Sequence, residues 1–208
     1  MPRIVCISDT HTMHDKVILP DGDILVHAGD FMDFGRNPVE ATNFLTWFSS
    51  QKHQHKILIA GNHDVYFEQY PDITKRLMPD DVRYLQDSGA RIEGLLFWGS
   101  PVTPRFFDWA FNRDRGENIA QHWQQIPEGT DVLITHGPPL GVLDRVGNES
   151  VGCADLYVRT ARIAPKLHVF GHIHVGYGRR QIEQTCFVNA SVCNERYRPV
   201  NAPHVVDL

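Results

Sequence analysis

Ile4-Val5-Cys6-Ile7-Ser8-Asp9-Thr10-His11 is the stretch on which the reading of this chain turns. Four apolar residues in a row are too few for a helix and read as a short buried strand. The run ends on a small residue, a carboxylate and an imidazole. The same arrangement occurs four more times. Ile24-Leu25-Val26 runs into His27-Ala28-Gly29-Asp30, and Ile57-Leu58-Ile59-Ala60 into Gly61-Asn62-His63-Asp64. Val132-Leu133-Ile134 runs into Thr135-His136-Gly137, and Leu167-His168-Val169-Phe170 into Gly171-His172-Ile173-His174. Five predicted strands thus each deliver Asp, Asn or His just past their carboxyl ends, the edge at which α/β sheets form ligand sites.

Two further apolar runs, Leu95-Leu96-Phe97-Trp98 and Cys186-Phe187-Val188, read as strands, and the terminal His204-Val205-Val206-Asp207-Leu208 as an eighth, at a sheet edge. Between them lie helical patterns. Asn37-Pro38-Val39-Glu40 has a capping residue, a proline at the first helical position and an acid in the first turn. Ala41, Phe44, Leu45 and Phe48 then repeat at i, i+3, i+4, i+7 and form one apolar stripe. Shorter helices are expected near 72–78, 117–125 and 152–163. Strands alternating with helices predict an α/β fold with parallel pairing. The closer spacing of the later strands adds hairpins, so a mixed sheet or two stacked sheets are expected. No repeat or linker divides the 208 residues, and a single domain spanning 1–208 is expected.

Composition excludes several classes. Hydrophobic residues at 42% and charged residues at 22% are those of a globular protein, not a disordered one. No stretch approaches the ~18 apolar residues of a membrane span. No signal peptide is visible, and Cys6, Cys153, Cys186 and Cys193 form no C-x-x-C pair, so a reduced, cytoplasmic protein is the default expectation. A formal charge of −5 argues against polymeric nucleic acid as a partner. Twelve histidines are the unusual feature, histidine being the commonest metal ligand.

Taken singly, Asp9 and Asp30 could be turn formers, Asn62 a left-handed turn residue, and the histidines satisfied core groups. Those explanations do not account for the placement of every set after an apolar run. Together the residues describe a metal site of carboxylate, amide and imidazole, without thiolate. That donor set suits manganese, iron or zinc, and magnesium less well. The seven candidate ligands, Asp9, His11, Asp30, Asn62, His136, His172 and His174, are too many for one ion and fit two sharing a carboxylate. Two ions about 3.5–4 Å apart clamp a phosphoryl group and turn a bridging water into hydroxide. His63, beside Asn62, is placed to protonate a leaving group.

Asp9-x-His11, Gly29-Asp30, Gly61-Asn62-His63-Asp64, His136-Gly137 and Gly171-His172-x-His174 resemble, in order, the five signature blocks of the calcineurin-like metallophosphoesterases. His27-Ala28-Gly29-Asp30-Phe31, Asp108-Trp109-Ala110-Phe111-Asn112, Thr135 to Gly141 and Asn189-Ala190-Ser191-Val192-Cys193-Asn194 further resemble the small, phosphodiesterase-like branch of metallophosphoesterase domain-containing proteins. The resemblance implies a four-layer αββα fold, a β-sandwich flanked by helices. It implies that Asp9, His11 and His174 hold one metal and Asn62, His136 and His172 the other, with Asp30 bridging. It implies substrate contact through Asn62 and His63, the latter as general acid. It implies two divalent ions, manganese being favoured, and a small phosphorylated substrate, a cyclic or other small nucleotide. A phosphomonoesterase, or a nucleotide-binding regulator with little turnover, are the alternatives.

Residues 101–115 interleave Phe106, Phe107, Trp109 and Phe111 with Arg105, Arg113 and Arg115. Two readings compete: a lid that stacks a base and steers phosphate, or a hydrophobic cluster beneath a long loop, which is favoured. His14, His53, His55, His122 and His168 fit no block and read as structural or solvated; His27 reads as a support for the ligands.

Overall fold

The computed structural model describes residues 1–208. Its strands, in chain order, are β1 (Arg3–Ile7), β2 (Ile24–Ala28), β3 (His55–Ile59), β4 (Val82–Tyr84), β5 (Ser88–Ile92), β6 (Leu95–Ser100), β7 (Thr103–Pro104), β8 (Asn112–Arg113), β9 (Val132–Thr135), β10 (Arg145–Val146), β11 (Glu149–Ser150), β12 (Leu167–Phe170), β13 (Gly178–Ile182), β14 (Thr185–Asn189) and β15 (His204–Asp207). The helices are α1 (Pro38–Ser49), α2 (Val65–Gln69), α3 (Pro71–Leu77), α4 (Glu117–Gln124) and α5 (Ala154–Ile163).

Two sheets stack. One has the order β15-β1-β2-β3-β4, parallel except for β15; the other has the order β13-β14-β12-β9-β6-β5, parallel in its four central strands and antiparallel at both edges. Alternation along each strand creates four layers. Ile4, Cys6, Val26 and Ile57 point inward to meet Phe97, Val132, Ile134 and Val169 between the sheets. Val5, Ile7, Leu25 and Leu58 point outward onto Phe44, Leu45 and Phe48 of α1. On the far side Trp98 and Leu133 pack against Ile119 and Trp123 of α4 and Leu156 and Ile163 of α5. Because both faces of each central strand are covered, the runs are continuously apolar. The αββα expectation is met.

All eight expected strands form, the terminal one pairing antiparallel with β1 as a sheet edge. The N-terminus of α1 is capped as expected, the Asn37 side chain accepting from the Val39 N–H at 3.0 Å. Seven strands and one helix lie outside those expectations: β4, β5, β13, the two-residue strands β7, β8, β10 and β11, and the helix α2. Gly178-Arg179-Arg180-Gln181-Ile182 of β13 is a largely exposed edge strand with no buried residue to mark it. The five-residue α2 is too short to show a helical period. All four cysteines are free and buried, Cys6 and Cys186 within the inter-sheet core. No helix is long and apolar enough to cross a membrane.

Candidate metal centre and its cleft

The carboxyl ends of the parallel strands of both sheets meet at one end of the sandwich. Backbone bonds lock the loops there. Asp9 N–H donates to Gly29 C=O at 2.9 Å, His11 N–H to Asp30 C=O at 3.1 Å, and Gly171 N–H to His136 C=O at 2.9 Å. Between the sheets, Val192 N–H donates to Ser8 C=O at 2.9 Å. Gly171 and Gly61 lie where the loops are closest. A β-carbon at Gly171 would strike the Asp9 carboxylate and Ser8, and one at Gly61 would strike Asp30 and His136. Asp9, His11, Asp30 and His172 take left-handed backbone conformations, with φ of 55°, 39°, 58° and 67°. Such conformations cost of order 1–3 kcal/mol each and persist where the surroundings over-determine them.

The expected ligands converge. Donor atoms of Asp9, His11 and His174 lie within 4.8 Å of one another, as do those of Asp30, His136 and His172. Asn62 Oδ1 is 2.9 Å from His136 Nε2, joining the second group. Asp30 also groups with His11 and His63, so its carboxylate stands between the two clusters. His11 Nε2 and His174 Nε2 are only 3.3 Å apart. His14, His53, His55, His122, His168 and His204 lie in none of these groups.

The tautomers test whether cations fit. Nδ1 of His11 faces the Met32 carbonyl at 3.2 Å, Nδ1 of His174 that of Asn194 at 2.9 Å, and Nδ1 of His136 that of Ala28 at 2.8 Å. A carbonyl only accepts, so each Nδ1 carries a proton and each Nε2 is the nitrogen turned inward, the one that would offer its lone pair to a cation. This is the arrangement of metal-ligating imidazoles held by backbone. Burial opposes ionisation of Asp9 and Asp30, but His174 and His136 respectively outweigh it and hold both carboxyls below the ordinary range. Burial likewise opposes a proton on His136, yet Asp30 and Asp9 raise it to about 9. Burial lowers His11 and His172 to about 4. Two buried carboxylates and inward-facing Nε2 atoms, whose protons a divalent cation would displace, are a donor set for hard or borderline divalent ions.

Several residues that lie in the family-like stretches, but carry no role in the sequence analysis, support the ligands. Ser191 Oγ donates to Asp9 Oδ2 at 2.7 Å, and Asn189 Nδ2 to Ile173 C=O at 2.8 Å. Asp64 accepts from the N–H groups of Asp30, Met32 and Gly61 at 2.7–2.9 Å, tying two ligand loops together. Asn189-Ala190-Ser191 follows an apolar run, as the other five sets do, and that was the available signal. His27, expected as a support, bonds Thr10 Oγ1 at 3.0 Å and accepts the Gly29 N–H at 3.2 Å. His168 does the same for Thr135 at 2.9 Å, just ahead of His136.

A cleft of about 890 Å³ opens beside the centre, lined by Asp30, Asn62, His63, His172 and His174 and walled by Phe106, Phe107, Trp109, Val146 and Tyr197. Residues 101–115 divide between the two readings. Ala110 and Phe111 are buried in the core beneath α1, as the cluster reading has it. Phe106 and Phe107 stand 59% and 73% exposed in the cleft wall. The arginines do not steer phosphate freely. Arg105 pairs with Asp114 at 2.6 Å, and Arg115 donates to the carbonyls of Gly152 and Val151, both at 2.7 Å. Tyr197 packs against His11, ring centroids 4.7 Å apart.

Known proteins resemble this chain along its length. The family model for calcineurin-like phosphoesterase matches residues 2–176. Metallophosphoesterase domain-containing protein 1 of Homo sapiens is 44% identical, across 99% of this chain and 71% of its own. UPF0046 protein K07C11.7 of Caenorhabditis elegans is 41% identical, across 93% and 70%. Among solved structures, the phosphopantetheinyl hydrolase of Mycobacterium tuberculosis superposes with a TM-score of 0.66 at 17% identity, covering 93% of this chain and 90% of that one, a likeness of fold. With the family match spanning most of the chain, this protein belongs to the calcineurin-like phosphoesterase family and is a metal-dependent phosphoric ester hydrolase.

Proposed function

We propose that the chain hydrolyses a small phosphodiester, a cyclic or other small nucleotide. In this reading Asp9, His11 and His174 hold one divalent ion, Asn62, His136 and His172 hold the second, and Asp30 bridges them. Manganese is the preferred ion, because the set combines four imidazoles with two carboxylates and an amide oxygen and has no thiolate. Bound there, the two cations supply positive charge to the phosphoryl oxygens and acidify a water for attack.

The rest is done by the chain. A water oxygen forms the new bond to phosphorus as the bond to the leaving oxygen breaks. His63 delivers one proton to that oxygen and regains one from the water, so the products are an alcohol and a phosphomonoester. The Asp33 carbonyl faces His63 Nδ1. That leaves Nε2 as the nitrogen that handles the proton. Asn62, beside His63, contacts the phosphoryl group. Phe106 and Phe107 offer flat apolar surface to a base.

The observation that carries this proposal is the convergence of three imidazole Nε2 atoms and two ionised, buried carboxylates at the floor of an aromatic-walled cleft. Cyclic nucleotides and aryl phosphate mono- and diesters, assayed with manganese, test it. Turnover of diesters with nucleotides preferred is expected. Turnover of monoesters alone would replace it with a phosphomonoesterase, and tight binding of nucleotide without turnover with a regulator.

A further inference from the structure

Trp109 belongs to a stretch of sequence that reads as a possible platform for a substrate base. In the structure one face of its indole is already taken. It stacks on the His63 imidazole, ring centroids 4.2 Å apart and planes 23° from parallel. The edge of the same imidazole meets His11 at 4.8 Å. The only hydrogen bond of its ring is from Nδ1 to the Asp33 carbonyl. A histidine on a partly open cleft wall would otherwise sample other rotamers about χ1 and χ2.

Trp109 itself is held firmly. The next residue, Ala110, donates its N–H to the Asn62 carbonyl at 3.1 Å, so the Trp109 segment is bonded to the segment carrying His63. Phe111 N–H donates to Glu68 Oε1 at 3.0 Å, and its side chain is buried in the core. The indole packs against that same core cluster. Position and tilt of the indole are therefore set by the fold.

We propose that Trp109 is the positioning residue of His63. Indole face and Asp33 carbonyl together hold the imidazole in one rotamer and one tautomer, with Nε2 directed at the leaving oxygen. The inference rests on the leaving-group role given to His63 above. It leaves Phe106 and Phe107, not Trp109, as the surfaces that meet substrate.

Aryl phosphodiesters of graded leaving-group acidity, turned over by the metal-loaded enzyme, test it. His63→Ala should lose roughly 10²–10⁴-fold in kcat on the poorest leaving group. Trp109→Ala should lose on the order of 10–100-fold on that substrate and progressively less as the leaving group improves. Trp109→Phe, which keeps a flat face, should recover most of the loss, and His63→Ala/Trp109→Ala should be no slower than His63→Ala. Imidazole ¹⁵N spectra of the metal-free protein give a second readout. The wild type should show His63 as a single Nδ1–H tautomer, and Trp109→Ala an average of both, with the other histidines unmoved. A Trp109→Ala defect that is equal across leaving groups, adds to that of His63→Ala, or appears in KM alone overturns the proposal. Should His63→Ala itself be indifferent to the leaving group, the role of His63 falls, and an unchanged His63 spectrum in Trp109→Ala would then sink the positioning role as well.

Discussion

His168 offers a stability measurement that needs no substrate. It lies in β12, fully buried, with Nε2 bonded to Thr135 Oγ1 at 2.9 Å and Nδ1 without a partner. Burial alone lowers its pKa from 6.5 to about 3. In the unfolded chain it takes a proton near pH 6.5, whereas in the folded chain it resists until about pH 3. Between those values the unfolded state binds the extra proton, so stability falls as pH falls, by up to about 1.4 kcal/mol per pH unit. At pH 5.0 the integrated loss from this one residue is about 2 kcal/mol relative to pH 7.5. His168→Gln keeps an N–H for Thr135 and removes the titration. Urea unfolding at pH 7.5 and 5.0, with metal ions chelated, gives each protein its own difference between the two pH values. Any fixed cost of the substitution cancels in that difference, as does the titration of the metal-site groups common to both proteins. The variant should lose about 2 kcal/mol less than the wild type on acidification. Equal losses would mean that His168 is protonated in the folded state or is hydrated, and the account of its burial would be wrong.

Three further outcomes concern the metal centre. Asp30→Ala removes the carboxylate placed between the two clusters, so desalted protein should retain fewer than two ions by elemental analysis and show no turnover; full activity would end the two-metal reading. Chelation should silence the enzyme, and manganese should restore it better than magnesium or zinc, as read from initial rates after titrating each ion back. Ser191→Ala deprives the buried Asp9 carboxylate of a charged hydrogen bond, so affinity for the ion held by Asp9, His11 and His174 should fall about 10–100-fold in a calorimetric titration; unchanged affinity would make Ser191 a packing residue only.

The central strands were legible because each is sealed twice, by the facing sheet and by helices, which leaves no polar position in runs such as Val132-Leu133-Ile134. The same sealing hid their facing. In Ile4-Val5-Cys6-Ile7 every residue is apolar, and only the packed structure shows that Ile4 and Cys6 face the other sheet while Val5 and Ile7 face α1. Strands β4, β5 and β13 were not legible, because edge positions open to solvent tolerate Arg, Gln and Gly and break the apolar run. Residues 101–115 mixed buried and exposed aromatics, and composition does not distinguish Phe111 in the core from Phe107 in the cleft.

By itself the sequence determined the donor chemistry: which carboxylates, amide and imidazoles follow the strands, in what order, and therefore which class of ion and ester they suit. Local apolar patterning encodes that, since a strand must end before a polar ligand can be presented. The tertiary structure alone decided which imidazole nitrogen faces inward and that Trp109 stacks on His63, and it set the distances within the donor clusters that the family resemblance implied. Those facts depend on sheet register and on carbonyls such as Met32 and Asn194 from other loops, and they bring His11 within 3.3 Å of His174 across 163 residues of chain. No periodicity along the chain carries information about such a meeting.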